Sequence, residues 1–354
     1  MADDSLFDLD RHELNELLGD QPAYRQEQIW QGLYRDFSPL EEITTLPKAL
    51  RAQLAKQFPA SLTEMTQSRS ATGDTVKWLW QLPDQALIET VLMVYEERCT
   101  VCVSTQAGCA MACGFCATGQ AGFTRNLSSG EIVEQVVSAA RHAKNIGRRV
   151  SNIVFMGMGE PFANYDRTMQ AVRKIHGDIG ISARHLTLST VGIIPGIVRL
   201  SEEELPVNLA ISLHAANDEL RNELVPINRR YPLDDLFAAC QTYTSRKNRR
   251  LSFEWALIEN TNDRPQDAEE LAAFALPLRA HVNLIPLNRT PGWPTTGSSP
   301  KRVEEFVQML KSFGVNATVR ANRGTDIDAA CGQLRASYDA ETNVVPPPTF
   351  RPRT

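Results

Sequence analysis

Hydrophobic positions along the chain fall into three regimes. Between residues 8 and 57, Leu14, Leu17 and Leu18, then Ile29, Leu33 and Tyr34, recur at helical spacing, the stripe of amphipathic helices. Between 75 and 104 the pattern turns β-rich. Trp78, Leu79, Trp80 and Leu82, then 88–95, then 100–103, are split by Pro83-Asp84 and predict a small antiparallel sheet. From 101 onward short apolar runs alternate with amphipathic stretches. Strands are predicted over 101–104, 152–156, 185–189, 207–213, 251–258, 281–287 and 317–320. Helices are predicted over 129–146, 165–177, 195–203, 233–247, 265–279 and 300–313. Alternation of this kind implies a parallel sheet with right-handed crossovers. The fold class expected is therefore α/β, and six or so such units suit an open or closed (β/α)6 barrel. The expected division is a helical N-terminal unit over 1–70, a small β-sheet extension over 71–100 and the barrel over 101–335. A tail over 336–354, with Pro346-Pro347-Pro348, is expected to be flexible.

Composition changes this picture little. A chain of 354 residues, 42% hydrophobic and 22% charged, has the make-up of a soluble globular protein. No apolar run approaches the roughly 18 residues a membrane span needs, and the acidic start Met1-Ala2-Asp3-Asp4-Ser5 lacks a signal-peptide pattern. A cytoplasmic protein without a membrane partner is expected. The net charge of −5 does not advertise a nucleic-acid binder, although a local groove can differ from the global sign. Basic residues gather at Arg148-Arg149, Arg229-Arg230 and over 246–250. Such clusters are ordinarily solvated helix ends, and RNA contact there stays open.

The cysteines carry the candidate chemistry. Five of the seven, Cys99, Cys102, Cys109, Cys113 and Cys116, fall in one short stretch, which points to metal or thiol chemistry and not to structural bridges. Cys109-Ala-Met-Ala-Cys113-Gly-Phe-Cys116 is a C-x3-C-x2-C triplet just past the first barrel strand, where an active-site loop belongs. Three thiolates can hold three irons of a [4Fe–4S] cluster and leave the fourth open. Structural zinc wants four ligands, and no fourth Cys or His lies nearby at finger spacing. Other polar residues fall at predicted strand ends: Gly157-Met158-Gly159-Glu160-Pro161 after the second, Ser189 at the third, Ser212-Leu213-His214 at the fourth and Asn288 after the sixth. Each alone reads as a loop hydrogen bond; together they mark one rim.

The triplet, with Phe115 ahead of its third cysteine, resembles the signature of the radical S-adenosylmethionine (SAM) superfamily. The Gly157–Pro161 turn resembles that superfamily's GGE-type motif. A narrower resemblance is to the RlmN/Cfr family of RNA methyltransferases. It rests on Val101-Cys-Val-Ser-Thr-Gln-Ala-Gly-Cys109, Ile211-Ser-Leu-His-Ala215, Val225-Pro-Ile-Asn228 and Gly324-Thr-Asp-Ile-Asp-Ala-Ala-Cys331-Gly-Gln-Leu334, and runs over almost the whole chain.

The resemblance implies a radical-SAM barrel with an N-terminal helical module that positions RNA. It implies a [4Fe–4S] cluster on Cys109, Cys113 and Cys116, and SAM held by Gly159, Glu160, Ser189, Ser212, Leu213, His214 and Asn288. Two SAM are used per turnover. One methylates Cys331; the other, split reductively at the cluster, yields a radical that takes hydrogen from that methyl. The methylene radical then adds to an adenine carbon, a poor nucleophile closed to ordinary methyl transfer. Cys102 matches the resolving thiol that releases the product by forming a disulfide with Cys331. Glu89 in Leu87-Ile-Glu-Thr-Val-Leu matches the family's proton acceptor. Without the resemblance Cys331 would read as a small buried thiol and Glu89 as a carboxylate on a wet strand face. The implied substrate is an adenine of 23S rRNA, extruded from its stack, with an adenine of tRNA beside the anticodon as a further one. An external electron donor is implied, and a monomer is expected. Cys99 and Cys240 match no family role and read as strand and helix-core residues.

Three rivals stand beside this reading. Cfr-type enzymes methylate C8 of the same adenine, giving antibiotic resistance; Pro161 after Gly159-Glu160 favours C2. A non-methylating radical SAM protein would make no use of Cys102 or Cys331. An iron–sulfur RNA-binding protein would consume no SAM.

Overall fold

The computed structural model describes residues 5–247, 249–290 and 293–334; the expected tail over 336–354 and Asn248 of the basic cluster lie outside them. Its strands are β1 (Thr63–Arg69), β2 (Thr75–Gln81), β3 (Leu87–Val94), β4 (Cys99–Cys102), β5 (Gln106–Gly108), β6 (Phe123–Asn126), β7 (Val150–Phe155), β8 (Leu186–Thr190), β9 (Asn208–Ser212), β10 (Leu251–Leu257), β11 (His281–Pro286) and β12 (Ala317–Val319). Ten form one sheet in the order β1-β2-β3-β4-β7-β8-β9-β10-β11-β12. Pairing is antiparallel from β1 to β4 and parallel from β4 to β12. The sheet is therefore an open barrel whose first edge continues into the antiparallel extension. β5 and β6 form a separate two-stranded ribbon.

All seven predicted barrel strands are present within two residues of their expected bounds. β1 was not predicted. Its sequence, Thr-Glu-Met-Thr-Gln-Ser-Arg, is polar and exposed along most of its length, and it pairs only with β2, as an edge strand can without an apolar face. The helices Asp218–Leu224 and Ala117–Ala121 were also unpredicted, being too short to show a period.

Alternation along the barrel strands explains both layers. One set of side chains, among them Val101, Ile153, Leu188, Leu209, Phe253 and Leu284, is fully buried in the core that joins sheet to helices. The alternate set faces inward and is largely polar: Thr100, Asn152, Thr187, Asn208, Ser252, Asn283 and Thr318 line one cavity inside the sheet's curve. A period of two puts the two sets on opposite faces. The barrel thus keeps a polar interior, unlike the packed apolar layers of closed barrels.

The N-terminal helices share one continuous apolar core with this body, Leu14, Ile29, Leu33 and Leu54 among its buried members, and polar contacts fix their seat. Asp8 accepts from Gly130 N at 2.6 Å and from the Ser128 and Ser129 hydroxyls at 2.8 Å, so its charge sits at the positive end of helix Ser129–Asn145. Trp30 Nε1 donates to Asp178 Oδ1 at 2.9 Å, and Arg35 Nη1 to the Ile179 carbonyl at 3.1 Å. Among the described residues no helix is long and apolar enough to cross a membrane.

Candidate active site

The parallel strands all end on one rim, and a cavity there gathers most of the predicted residues. Cys109, Cys113, Cys116, Gly159, Glu160, Ser189, Ser212, His214, Asn288 and Cys331 all line it. The cysteine loop leaves the β5–β6 ribbon at Gly108 (φ +75°), where a Cβ would meet the Gly122 carbonyl oxygen at 2.0 Å; only glycine fits. The loop then closes on itself through Cys116 N to the Cys113 carbonyl, 3.1 Å. Phe115 packs edge-on against His214, ring centroids 4.8 Å apart.

The donor set fits an iron–sulfur cluster better than a single ion. Burial raises the Cys109 thiol to about 12, with its sibling Cys116 adding to the rise. Cys113 is driven well above the ordinary range by burial, then by Cys116 and Cys109. Neighbouring buried thiols become thiolates only against a strong local cation, which bound iron is. Among the described residues no three Cys, His, Asp or Glu converge on one ion position. A structural zinc would need four ligands around one ion; a cluster takes each of three thiolates on a different iron.

Around this loop the rim is tightly wired. Glu160 is 2% exposed; its Oε1 accepts from Phe162 N at 3.0 Å and its Oε2 from Val191 N at 2.9 Å. Burial lifts its carboxyl to about 7, with those amides pulling the other way. Gly159 (φ +97°) has no room for a Cβ, which would stand 2.5 Å from the Gln106 side chain, whose Oε1 takes the Glu160 amide at 2.8 Å. His214, buried at φ +61°, accepts at Nδ1 from Ala256 N, 3.0 Å. Burial, then Arg221, lowers its pKa to about 3, so the ring is neutral with its proton on Nε2. Ser189 and Ser212 hydroxyls lie 3.4 Å apart. Leu213 differs: its side chain is in the core, and its backbone amide donates to the Glu254 carbonyl at 3.0 Å.

Cys331 rides a loop held at several points. Asn288 Nδ2 donates to the Cys331 carbonyl at 3.1 Å, Ala117 N to the Gly332 carbonyl at 2.8 Å and Thr118 Oγ1 to the Leu334 carbonyl at 2.6 Å. Cys331 lines the rim cavity and also a smaller adjoining one, which Cys102 at the end of β4 lines too. No disulfide joins any of the seven cysteines. Burial pushes Cys102 up to about 12, with Cys331 adding to the rise, and burial raises Cys331, opposed by Arg320. Cys99 and Cys240 are buried in β4 and in helix Leu233–Lys247, the places read for them.

Glu89 does not line the rim cavity. It is 4% exposed in β3, and its Oε1 pairs with Lys77 Nζ at 2.9 Å. Val91 stands opposite Cys102, so Glu89, two residues along β3, shares the sheet face of Cys102. Lys77 Nζ also donates to the Asp328 carbonyl at 3.2 Å, tying Glu89's partner to the Cys331 loop.

Three residues of this site escaped the sequence reading. Arg221, fully buried, donates to the carbonyls of Leu213 (3.1 Å) and Val191 (2.6 Å) and to Asn228 Oδ1 (2.6 Å); it fastens two strand ends to the Val225–Asn228 segment. Among Asp, Glu and Asn neighbours it looks like a surface charge. Lys77 likewise reads as the wet position of a strand. Arg320 follows β12, and the strand-end rule that found Ser189 would have found it.

A rim that joins a C-x3-C-x2-C loop, a buried glutamate turn and polar strand ends over an open parallel barrel defines the radical SAM class of enzymes. The sequence pattern of the Radical SAM superfamily matches residues 103–275. The chain is 50% identical over 357 residues to the probable dual-specificity RNA methyltransferase RlmN of Chloroflexus aurantiacus, covering 96% of this chain and 95% of that one. It is 48% identical over 347 residues to the protein of the same description in Thermobifida fusca, covering 94% of each. The crystal structure of a radical SAM methyltransferase from Sphaerobacter thermophilus superposes with a TM-score of 0.91 at 50% identity, over 94% of this chain and 99% of that one. The chain belongs to the RlmN family.

Proposed function

We propose that the chain methylates C2 of an adenine in 23S rRNA, with an adenine next to the tRNA anticodon as its second substrate, using two SAM per turnover. The observation that carries this reading is the position of Cys331, which faces the Cys109–Cys113–Cys116 cavity on one side and Cys102 on the other. RNA as substrate follows from the family, whose relatives are described as dual-specificity RNA methyltransferases.

Cys109, Cys113 and Cys116 would hold a [4Fe–4S] cluster, and Gly159, Glu160, Ser189, Ser212, His214 and Asn288, with the Leu213 backbone, would hold SAM. When bound, the two together supply a radical that removes hydrogen from a methyl group. The chain's own residues do the rest. Cys331 carries the methyl as S-methylcysteine and delivers it as a one-carbon bridge to the adenine. Glu89, oriented by Lys77, takes the proton that the adduct must lose. The adduct also gives up its odd electron, replacing the one spent on splitting SAM. Cys102, as a thiolate, then attacks the Cys331 sulfur; the S–C bond breaks, its electron pair stays on the one-carbon unit, which takes up a proton to become the methyl group, and the methylated adenine departs from the Cys102–Cys331 disulfide. A non-methylating radical SAM protein would have no use for two free thiols beside the cavity.

Anaerobic reconstitution with SAM, a reductant and a 23S rRNA fragment, followed by nucleoside mass spectrometry, tests this. 2-Methyladenosine is expected. 8-Methyladenosine in its place would overturn the C2 assignment, and intact SAM would overturn the methyltransferase reading.

A further inference from the structure

The polar barrel interior approaches the thiol pair from a second side, with shared wall residues between them. It opens at the strands' N-terminal ends, the side away from the rim. The residues at that mouth are basic: Arg98 ahead of β4, His185 ahead of β8, and Arg249 and Arg250 ahead of β10 all line it. Arg98, His185 and Arg250 are exposed. Among the described residues the single acidic one lining this cavity is Glu254, at its inner end. There Met156, Glu254 and Arg320 line both this cavity and the rim cavity that holds Cys331. Met93, Met156, Arg320 and Ala321 are shared with the small cavity between Cys102 and Cys331. Two side chains along the way, His281 and Glu254, are 8% and 4% exposed; Glu254 Oε2 faces Arg320 Nη1 at 3.9 Å, and His281 Nδ1 has no hydrogen-bond partner. A polar atom left so inside a protein belongs to a space that admits water or a polar visitor.

We propose that this interior is the entry for a small anionic thiol that reduces the Cys102–Cys331 disulfide after each turnover. The inference rests on the thiol-pair reading above. That disulfide has to be reopened before Cys331 can accept another methyl, and RNA covering the rim would close the other approach. In the first step an entering thiolate attacks Cys331 Sγ; the Cys331–Cys102 bond breaks and Cys102 leaves as a thiolate beside Arg320, then takes up a proton. In the second, another small thiolate attacks the outer sulfur of the mixed disulfide and frees Cys331 as a thiolate, which is protonated in turn. Two small thiols are oxidised to one disulfide, and the protein disulfide is reduced by the same two electrons and two protons. A basic mouth concentrates anions and repels cations, an effect of tenfold or more for focused charges of this kind.

The test uses the cluster-loaded protein, oxidised with diamide and then exposed, at low ionic strength, to mercaptoethanesulfonate, mercaptoethanol or cysteamine. Alkylation and peptide mass spectrometry follow the Cys102 and Cys331 thiols, with rates corrected for thiolate fraction. The anionic thiol is expected to react about tenfold faster than the cationic one, with the preference fading in salt. It is expected to shrink to about twofold in the Arg98→Glu/Arg250→Glu protein, whose changes lie at the exposed mouth. Equal rates for the three thiols, or an anion preference untouched by the double substitution, would overturn the proposal. If diamide links no Cys102 to Cys331, the thiol-pair reading itself falls, and this inference with it.

Discussion

At the scale of single residues, burial dictates behaviour. Arg221 has no access to solvent and compensates by donating to three carbonyls and an amide oxygen. Removing it strands those acceptors, so Arg221→Met is expected to destabilise the chain by about 3–5 kcal/mol in urea unfolding; a loss below about 1 kcal/mol would show that the acceptors find other partners. Glu134, on helix Ser129–Asn145, accepts from Ser61 N at 3.1 Å and is 7% exposed. Burial raises its pKa from the ordinary 4.5 to about 7. The folded chain therefore keeps this carboxyl protonated while the unfolded chain ionises, and stability drains away as pH climbs from 4.5 to 7, then levels off. The total is about 3 kcal/mol. Glu134→Gln removes this dependence: its stability relative to the parent is expected to rise across that window. Parallel stability curves would contradict this.

At the scale of elements, the loop from Gly324 to Leu334 sets where Cys331 stands. Gly324 adopts φ +64°, and a Cβ there would lie 2.8 Å from Ala329 Cβ and 2.9 Å from Thr75 Cγ2. Gly324→Ala is expected to displace the loop at a local cost of about 1–2 kcal/mol, cutting methylation about tenfold while the urea midpoint of the barrel barely moves. Unchanged activity would mean that the loop's resting position does not matter. The sequence showed the elements well where periodicity is strong. The seven barrel strands stood out because each needs an apolar outer row under its helix, and the cysteine spacing marked the rim. It hid β1, whose edge position needs no apolar face, and it hid Lys77 and Arg221, whose charges look solvated until the fold closes over them. The inward row was hidden as well, since Thr100, Asn152 and Asn208 are polar on account of a cavity that no single strand reveals.

At the scale of the whole molecule, one sheet carries two jobs. Its antiparallel end presents Glu89 and Lys77, its parallel part presents the cysteine rim, and Cys102 in β4 lies where the two meet. The last segment of the described chain then returns Cys331 to that seam, with Lys77, Asn288 and Thr118 holding the loop from three separate parts of the chain. In the proposed reaction Cys331 bridges to RNA and Cys102 lets it go. The Cys102→Ala protein, loaded with cluster and given methyl-deuterated SAM and a 23S rRNA fragment, is then expected to stay joined to RNA. Mass spectrometry should find a covalent adduct through Cys331 Sγ and one labelled carbon, with no free methyladenosine. Normal release of methylated RNA from the Cys102→Ala protein, without an adduct, would contradict that reaction.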